Sequence, residues 1–596
     1  MMYAGKQPSN RGRQNDGAEK AKNVGRVLRR LWDYLYFYKA KLLFALFLSI
    51  VANVLSLIGP FLTGRAISAM EDGVDFEQVF FFAGLMIVFY IISAVLNYLL
   101  AKAMVRISQS VVYKMRKDVF NQLTKVHIKY YDQNQTGDII SRMSYDIDTI
   151  NTSLATDVLS VITSVITLII SLVMMLIMSP VLVLIFVFTI PVSFVVTRLL
   201  SKIVKRKFRV RNRQLGELNG FSEEMISGQR TIQSYVLEAP ILDKYRILNA
   251  QASKSSYESG YYAGAVMPTV NFISNISVAL VGVFGGLMYF NGGITIGNLT
   301  SFTLYSRRFS GPINQLSSIV ADIQSALAAA ERVFHVIDQE PELKDSKNAI
   351  DLPNLKGDVA FHDVSFGYVE NDLVLKNINF KVKPGQVVAI VGPTGGGKTT
   401  LINLLMRFYD VDQGVITIDG HDIKKIKRDA LRKAFSMVLQ DTWIFHGTVY
   451  DNIAYGNGQV SRFEVEEAAK KARIHTYISQ LPEGYDTILT DEGLSISKGQ
   501  KQLIVIARAI LSKTKMLILD EATSNVDTHT EAQIQKAMLT LMQYKTSFVI
   551  AHRLSTIVNA DYIMVIHEGK LIEQGTHQQL LEQKGFYHTL YESQFA

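Results

Sequence analysis

At 596 residues and 66.8 kDa, with 48% hydrophobic residues and a mean hydropathy of +0.16, the chain is long enough for several domains and too apolar to be wholly solvated by water. Its net charge of +9 fits either an anionic partner or basic residues flanking membrane spans; the basic residues cluster beside apolar runs, which favours the second and leaves nucleic acid out. There is no cysteine, so disulfide frameworks and thiolate metal sites are excluded.

The opening stretch, residues 1–30, is polar and basic with no apolar core or small-residue cleavage site, and reads as a disordered cytoplasmic tail rather than a cleaved signal. Residues 31–335 carry six apolar stretches, about Leu42–Leu62, Val79–Ala101, Val158–Met178, Val181–Leu199, Val266–Phe290 and Ile294–Val320. At about 1.5 Å per residue each is long enough to cross a hydrocarbon layer of about 30 Å. The expectation is an all-α, six-helix transmembrane domain embedded in a lipid bilayer.

The connections alternate in charge. The loop after the first span carries Glu71, Asp72, Asp75 and Glu77, while the segments after the second and fourth spans are long and basic, the latter running from Lys202 through Lys205, Arg206, Lys207, Arg209 and Arg211 to Arg213. The positive-inside rule places those basic segments and both termini in the cytosol of a cell membrane. Apolar residues keep helical spacing beyond the membrane, so the helices are expected to project into the cytosol as a stalk. In the last span, Arg307 and Arg308 fall about halfway along. A charge at that depth costs about 2.5–3.5 kcal/mol on insertion scales. Either the pair lines a substrate cavity or gate, or the span sits so that its guanidinium groups reach an interface.

Residues 336–356 turn polar and aperiodic, which describes a linker, and residues 357–596 form a second domain. There "QVVAIV" is a strand, "VGPTGGGKTT" a glycine-rich loop and "KTTLINLLMRF" an apolar-periodic helix. Gly392-x-x-x-x-Gly397-Lys398-Thr399 is the P-loop pattern: Gly392, Thr394, Gly395, Gly396 and Gly397 let backbone N–H groups face phosphate oxygens as far as Thr400. Lys398 supplies a cation and Thr399 a hydroxyl for Mg²⁺, at a helix N-terminus that itself favours anions. "MLILDE" then delivers Asp520 for the metal and Glu521 within reach of an attacking water.

With these motifs in this order, the chain resembles the ATP-binding cassette (ABC) family from about Leu31 onward, as an exporter half-transporter of the multidrug type with an α/β P-loop ABC nucleotide-binding domain. The resemblance implies that Tyr368 in "FGY" stacks on adenine, that Gln440 in "MVLQDTWIF" senses Mg²⁺, that "SNVD" is the D-loop and that His552 in "IAHRLST" contacts the γ-phosphate. It also implies that Ser497, Gly499 and Gln500, in the signature motif, cover the ATP held by a second cassette. That motif departs from the family: Ile496-Ser497-Lys498-Gly499-Gln500 carries a lysine where Leu-Ser-Gly-Gly-Gln has glycine. The departure, with Glu521 and His552 kept, looks most like the catalytically competent half of heterodimeric bacterial multidrug exporters, so a second half-transporter is the expected partner, a different chain being favoured over a second copy of this one.

The implied cofactors are ATP and Mg²⁺, and the implied mechanism is alternating access driven by closing and opening of paired cassettes. Coupling helices are expected near "SRMSYDIDTINTS" and "SEEMISGQRTIQSY". Amphipathic drugs are the first substrate reading, with Met174, Met175, Phe186, Met267, Phe272, Met288 and Tyr305 as a pliable lining. Lipids are the second, with Arg307 and Arg308 suited to an anionic headgroup, and hydrophobic peptides the third. An ATP-gated channel or regulatory membrane protein is the alternative class.

Overall fold

The computed structural model describes residues 23–71, 73–342, 345–346, 348–352, 355–369, 372–440, 442–489, 496–520, 527–551 and 554–595. It divides into two compact units, one comprising residues up to Val126 with Asn134–Pro341, the other comprising His127–Gln133 with Glu342 onward.

The first unit is all helix. A short helix, Val24–Tyr36, precedes the first span helix, Lys39–Ser68, and the second, Phe76–Leu123. Thr136–Met178 is the third, Pro180–Ser227 the fourth, Glu238–Phe290 the fifth and Ile296–Ile337 the sixth. The first five are long and apolar enough to cross a membrane. The sixth, 42 residues long, is not among them, because Arg307, Arg308 and neighbouring serines dilute its apolar character. At 48 residues the second and fourth helices extend about 70 Å, far beyond a bilayer, as the spacing of their apolar residues predicts.

Polar caps set where these helices start. Asp75 accepts from the Gln78 amide at 3.1 Å, and Ser179 opens the fourth helix with Pro180 at its first position, where the missing N–H costs nothing. Thr295 caps the sixth by accepting from the Asn298 amide at 3.2 Å.

The first and sixth span helices run antiparallel in close contact. A Cβ on Gly64 would lie 2.4 Å from the Gly297 carbonyl oxygen, so only glycine lets the two backbones approach there. From that crossing the pairing proceeds in step: Ser301 donates to the Pro60 carbonyl at 2.9 Å and Tyr305 to the Leu57 carbonyl at 2.5 Å. Met175, Phe186, Phe302 and Tyr305 are buried together. Three residues expected to line a pliable cavity, Met175, Phe186 and Tyr305, are thus packing residues, whereas Met267 and Phe272 are exposed on the single chain.

The second unit is α/β. Its main sheet has the order β12-β11-β3-β10-β9-β6, from Lys570–Gly575, Tyr562–His567, Val387–Val391, Thr546–Ile550, Met516–Asp520 and Phe435–Val438. All neighbours are parallel except the edge pair β11/β12. The central strands read as continuous apolar runs because both faces are covered, which is the pattern of a parallel sheet. A four-stranded antiparallel sheet, β2-β1-β4-β5 (Leu375–Val382, Val359–Phe366, Gln413–Ile418, His421–Asp422), carries a second core around Phe361 and Phe380, whose rings stack 4.4 Å apart. The chain entering this unit is tied down by charge: Arg432 pairs bidentately with Glu342 at 2.5 and 2.9 Å, and the buried Arg428 meets Asp345 at 3.0 Å.

Candidate functional site

The glycine-rich loop leaves β3 at the carboxyl edge of the sheet and returns into the helix Lys398–Leu405. It is a cradle of backbone. Gly392 sits at φ +151, where a Cβ would lie 2.0 Å from the Ile566 carbonyl oxygen of β11, and Gly397 sits at φ +105, where a Cβ would lie 2.7 Å from Leu375. Both positions require glycine, and Gly395 at φ +83 faces open space. Lys398 Nζ donates to the Gly392 and Pro393 carbonyls at 2.8 and 3.0 Å, which holds the ammonium inside the loop. Burial lowers its pKa, and the nearby Asp520 carboxylate opposes that shift.

Sheet register brings the second motif to the same edge. Ile550 of β10 lies opposite Ile390 of β3 on one side and Asp520 of β9 on the other, so Asp520 stands level with the start of the loop two strands away. Gln440 follows β6, the neighbour of β9, and is exposed at that edge. Glycine cradle, buried ammonium, threonine hydroxyls and acidic strand end fit a nucleotide triphosphate with Mg²⁺. Glu521, Ser524 to Val526 and His552 lie outside the described residues.

Tyr368 packs edge-on against Phe366 and Tyr409, each ring centroid 5.0 Å away. Its hydroxyl donates to Thr400 Oγ1 at 3.2 Å and accepts from Asn403 at 3.2 Å, locking the ring above the helix that carries the loop. Thr400 is buried and serves this bond. Asn403 carried no signal in the sequence, since an amide on an apolar helix matches no nucleotide motif.

The signature residues form a helix start. Ser497 caps Lys498–Leu511, accepting from the Gln500 amide at 3.2 Å while Gln500 Oε1 accepts from the Ser497 amide at 3.0 Å. Gly499 is buried, and Lys498 occupies the first helical position with its side chain exposed. The substituted cation is directed to solvent on the isolated chain and leaves the cap intact.

One loop expectation is displaced. Residues 141–153 belong to the third span helix, where buried Asp146 is held by Arg332 through bonds of 2.5 and 2.9 Å. The segment that groups with the ATPase unit lies earlier, in the short helix Ile128–Gln133, whose Asp132 carboxylate accepts from the Tyr409 hydroxyl. The apolar periodicity through 141–153 belongs to a helix already running toward the membrane, and the tight break that frees a separate short helix comes before it.

Residues 42–313 match the ABC transporter transmembrane region, and residues 375–524 match the family described as ABC transporter. The chain is 42% identical to the ABC transporter ATP-binding protein YfiC of Bacillus subtilis (strain 168), over 98% of this chain and 97% of the relative. The chain belongs to the ABC transporter family. A fatty acid ABC transporter ATP-binding/permease protein of Mycobacterium bovis is 40% identical over 87% of this chain and 82% of its own length. The solved structure of a bacterial Atm1-family ABC exporter with ATP bound superposes with a TM-score of 0.76 at 29% identity, covering 94% of this chain and 98% of that one. This ABC exporter is a multi-pass membrane protein whose ATPase, working with ATP and Mg²⁺, is coupled to transport.

Proposed function

We infer that the chain is one half of a dimeric exporter that moves amphipathic or lipophilic compounds out across the bacterial inner membrane, with both termini in the cytosol. The observation that carries this is a cradle only glycine can form, on the same polypeptide as five apolar helices of membrane-crossing length among the described residues. In this reading the loop amides and Lys398 hold the triphosphate, Thr399 and Asp520 hold Mg²⁺ with Gln440 beside it, and Glu521 takes a proton from the attacking water. Bound Mg²⁺ supplies charge neutralisation at the phosphates. Tyr368 positions the base, and His552 marks the γ-phosphate. Ser497, Gly499 and Gln500 present their helix N-terminus to the nucleotide of the other half.

The heterodimeric form of this reading rests on Lys498, which would stand at the partner's nucleotide rather than at this chain's own. A homodimer places that lysine in both sites, a heterodimer in one. Amphipathic drugs are the broader substrate reading; a lipid substrate draws independent support from the fatty acid transporter named among the relatives.

Glu521→Gln in the reconstituted exporter tests the assignment. Hydrolysis and transport are expected to fall at least 100-fold with ATP binding retained. Full turnover in that variant sinks the reading. Purification with and without the product of a neighbouring gene, followed by vesicle transport, decides between one chain and two.

A further inference from the structure

We propose that Arg308 is the headgroup-recognition site of the transported molecule, and that this molecule is a lipophilic compound with an anionic headgroup, carboxylate or phosphate. The proposal rests on the exporter reading above and narrows its substrate class.

Depth is the first argument. Arg308 lies about 18 Å along the sixth span helix from its start at Ile296. It donates to Ser56 Oγ at 3.0 Å, and Ser56 lies about 18 Å from the end of the first span helix at Ser68. The two helices are antiparallel and held in register by the Gly64/Gly297 approach and the Ser301 and Tyr305 bonds. Both measures therefore place the guanidinium near the middle of the membrane layer, away from either interface. That resolves the alternative left open by the sequence in favour of the interior.

Its surroundings supply the second argument. No carboxylate among the described residues lies within ion-pair distance of Arg308 or of its exposed neighbour Arg307, and the Ser56 hydroxyl is a single weak partner for a five-donor cation. A cation at that depth faces a water-filled cavity or an anion. The chemistry nearby is hydroxyl and amide rather than acidic, which suits an anion shared among donors, and the fork of Arg308 matches a carboxylate or phosphate bidentately.

A polar seam leads to it. Ser49, Asn53 and Ser56 repeat at helical spacing on one face of the first span helix, and Ser164, Thr167 and Ser171 do so on the third. Thr167 donates to Asn53 at 3.5 Å, and Ser164 donates to Gln315 of the sixth span helix at 3.3 Å. The hydroxyls of Ser49 and Ser171 are buried with no hydrogen-bond partner among the described residues. Asn53, Ser164 and Gln315 lie beyond Arg308 toward the end of the sixth helix that leads on to the ATPase unit. The seam sets hydroxyl and amide groups, not carboxylates, into the packed interface of the three helices next to Arg308.

The test uses the full exporter in liposomes, with its second half where one is needed, and single-chain amphiphiles of equal length ending in a carboxylate, a phosphate or a trimethylammonium group. ATPase stimulation is read for each, relative to that variant's own unstimulated rate. At least one anion is expected to stimulate at a concentration at least tenfold below the cation, and the two anionic arms show whether carboxylate or phosphate is preferred. Arg308→Gln is expected to erase that preference, with Arg308→Lys keeping part of it and Ser56→Ala weakening it about threefold. An anion preference that survives Arg308→Gln, or a wild type equally stimulated by the cation, overturns the proposal. A Gln variant that fails to assemble beside a Lys variant of unchanged selectivity also overturns it, since the arginine would then serve a carboxylate of the other half. Stimulation by no amphiphile of any charge defeats the exporter reading itself.

Discussion

Lys398 of the ATPase unit and Arg308 of the membrane unit are both cations held away from bulk water, and they are accommodated in opposite ways. Lys398 folds back onto two carbonyls of its own loop and feels the Asp520 carboxylate, so its charge is partly compensated before any ligand arrives. Among the described residues Arg308 has a single hydrogen-bond partner, a serine hydroxyl. The first site is built from backbone, with glycines at angles other residues resist; the second is built from side chains meeting across a helix interface. A preorganised cation serves chemistry, whose transition-state charge needs fixed donors. An undersatisfied one serves recognition, because its free donors await a partner that comes and goes.

The strongest way to break this contrast is Lys398→Ala. Removing a preorganised donor to the transferred group is expected to lower ATPase activity about 10²- to 10³-fold, read as steady-state phosphate release at saturating ATP. Retained activity would mean that the loop amides alone suffice and that the buried ammonium is structural.

A third cation sharpens the comparison from the other side. Lys545 precedes β10, its Nζ is buried without a hydrogen-bond partner among the described residues, and burial lowers its pKa to about 8 from 10.5. The folded state therefore disfavours the charged form. Between pH of about 8 and 10.5 the unfolded chain binds more protons, so stability rises with pH across that window; below it the full penalty is present. Lys545→Met keeps the length and removes the charge. It is expected to stabilise the ATPase unit by about 1–2 kcal/mol at neutral pH, after allowing for the side chain's partial exposure, and to flatten that pH dependence. Thermal unfolding measured across the window checks both. No gain at neutral pH would show that water already solvates the amine.

What could be read in advance follows the same division. The P-loop was legible because its chemistry demands glycines at fixed spacing and a lysine beside them, and no packing requirement mimics that pattern. Five apolar helices were legible because bilayer thickness fixes their length. The polar seam was not. Serines at helical spacing in an apolar helix are common, and only the pairing of Asn53 with Thr167 and Ser164 with Gln315 shows that three helices turn their polar faces toward one another. Arg308 was visible as a charge at depth, but its partner Ser56 lies 252 positions away in the chain. The grouping of Ile128–Gln133 with the ATPase unit was hidden for a related reason: helical periodicity continues through 141–153, where a coupling helix is expected from the sequence, while the short helix has too few residues to announce itself.

That short helix carries the smallest of these effects. Tyr409 packs edge-on against Tyr368 at 5.0 Å and donates its hydroxyl to Asp132, and burial together with that carboxylate raises the phenol's pKa. Ile128–Gln133 stands in sequence between the second and third span helices, so a force on Asp132 is a force on the loop that joins them. Tyr409→Phe keeps the ring that supports Tyr368 and deletes only the bond, and Asp132→Asn leaves a weaker acceptor. A hydrogen bond to a charged partner contributes about 1.5–3 kcal/mol, less here because the group is partly solvated, so each single change is expected to cost about 1 kcal/mol. If the two residues act through that one bond, the double variant costs no more than either single one. ATP affinity should move little in Tyr409→Phe because the ring remains, whereas stimulation of hydrolysis by a transported amphiphile should fall about threefold. Additive costs in the cycle, or stimulation unchanged beside a lost bond, would mean that the contact positions the adenine-stacking ring and carries nothing toward the membrane helices.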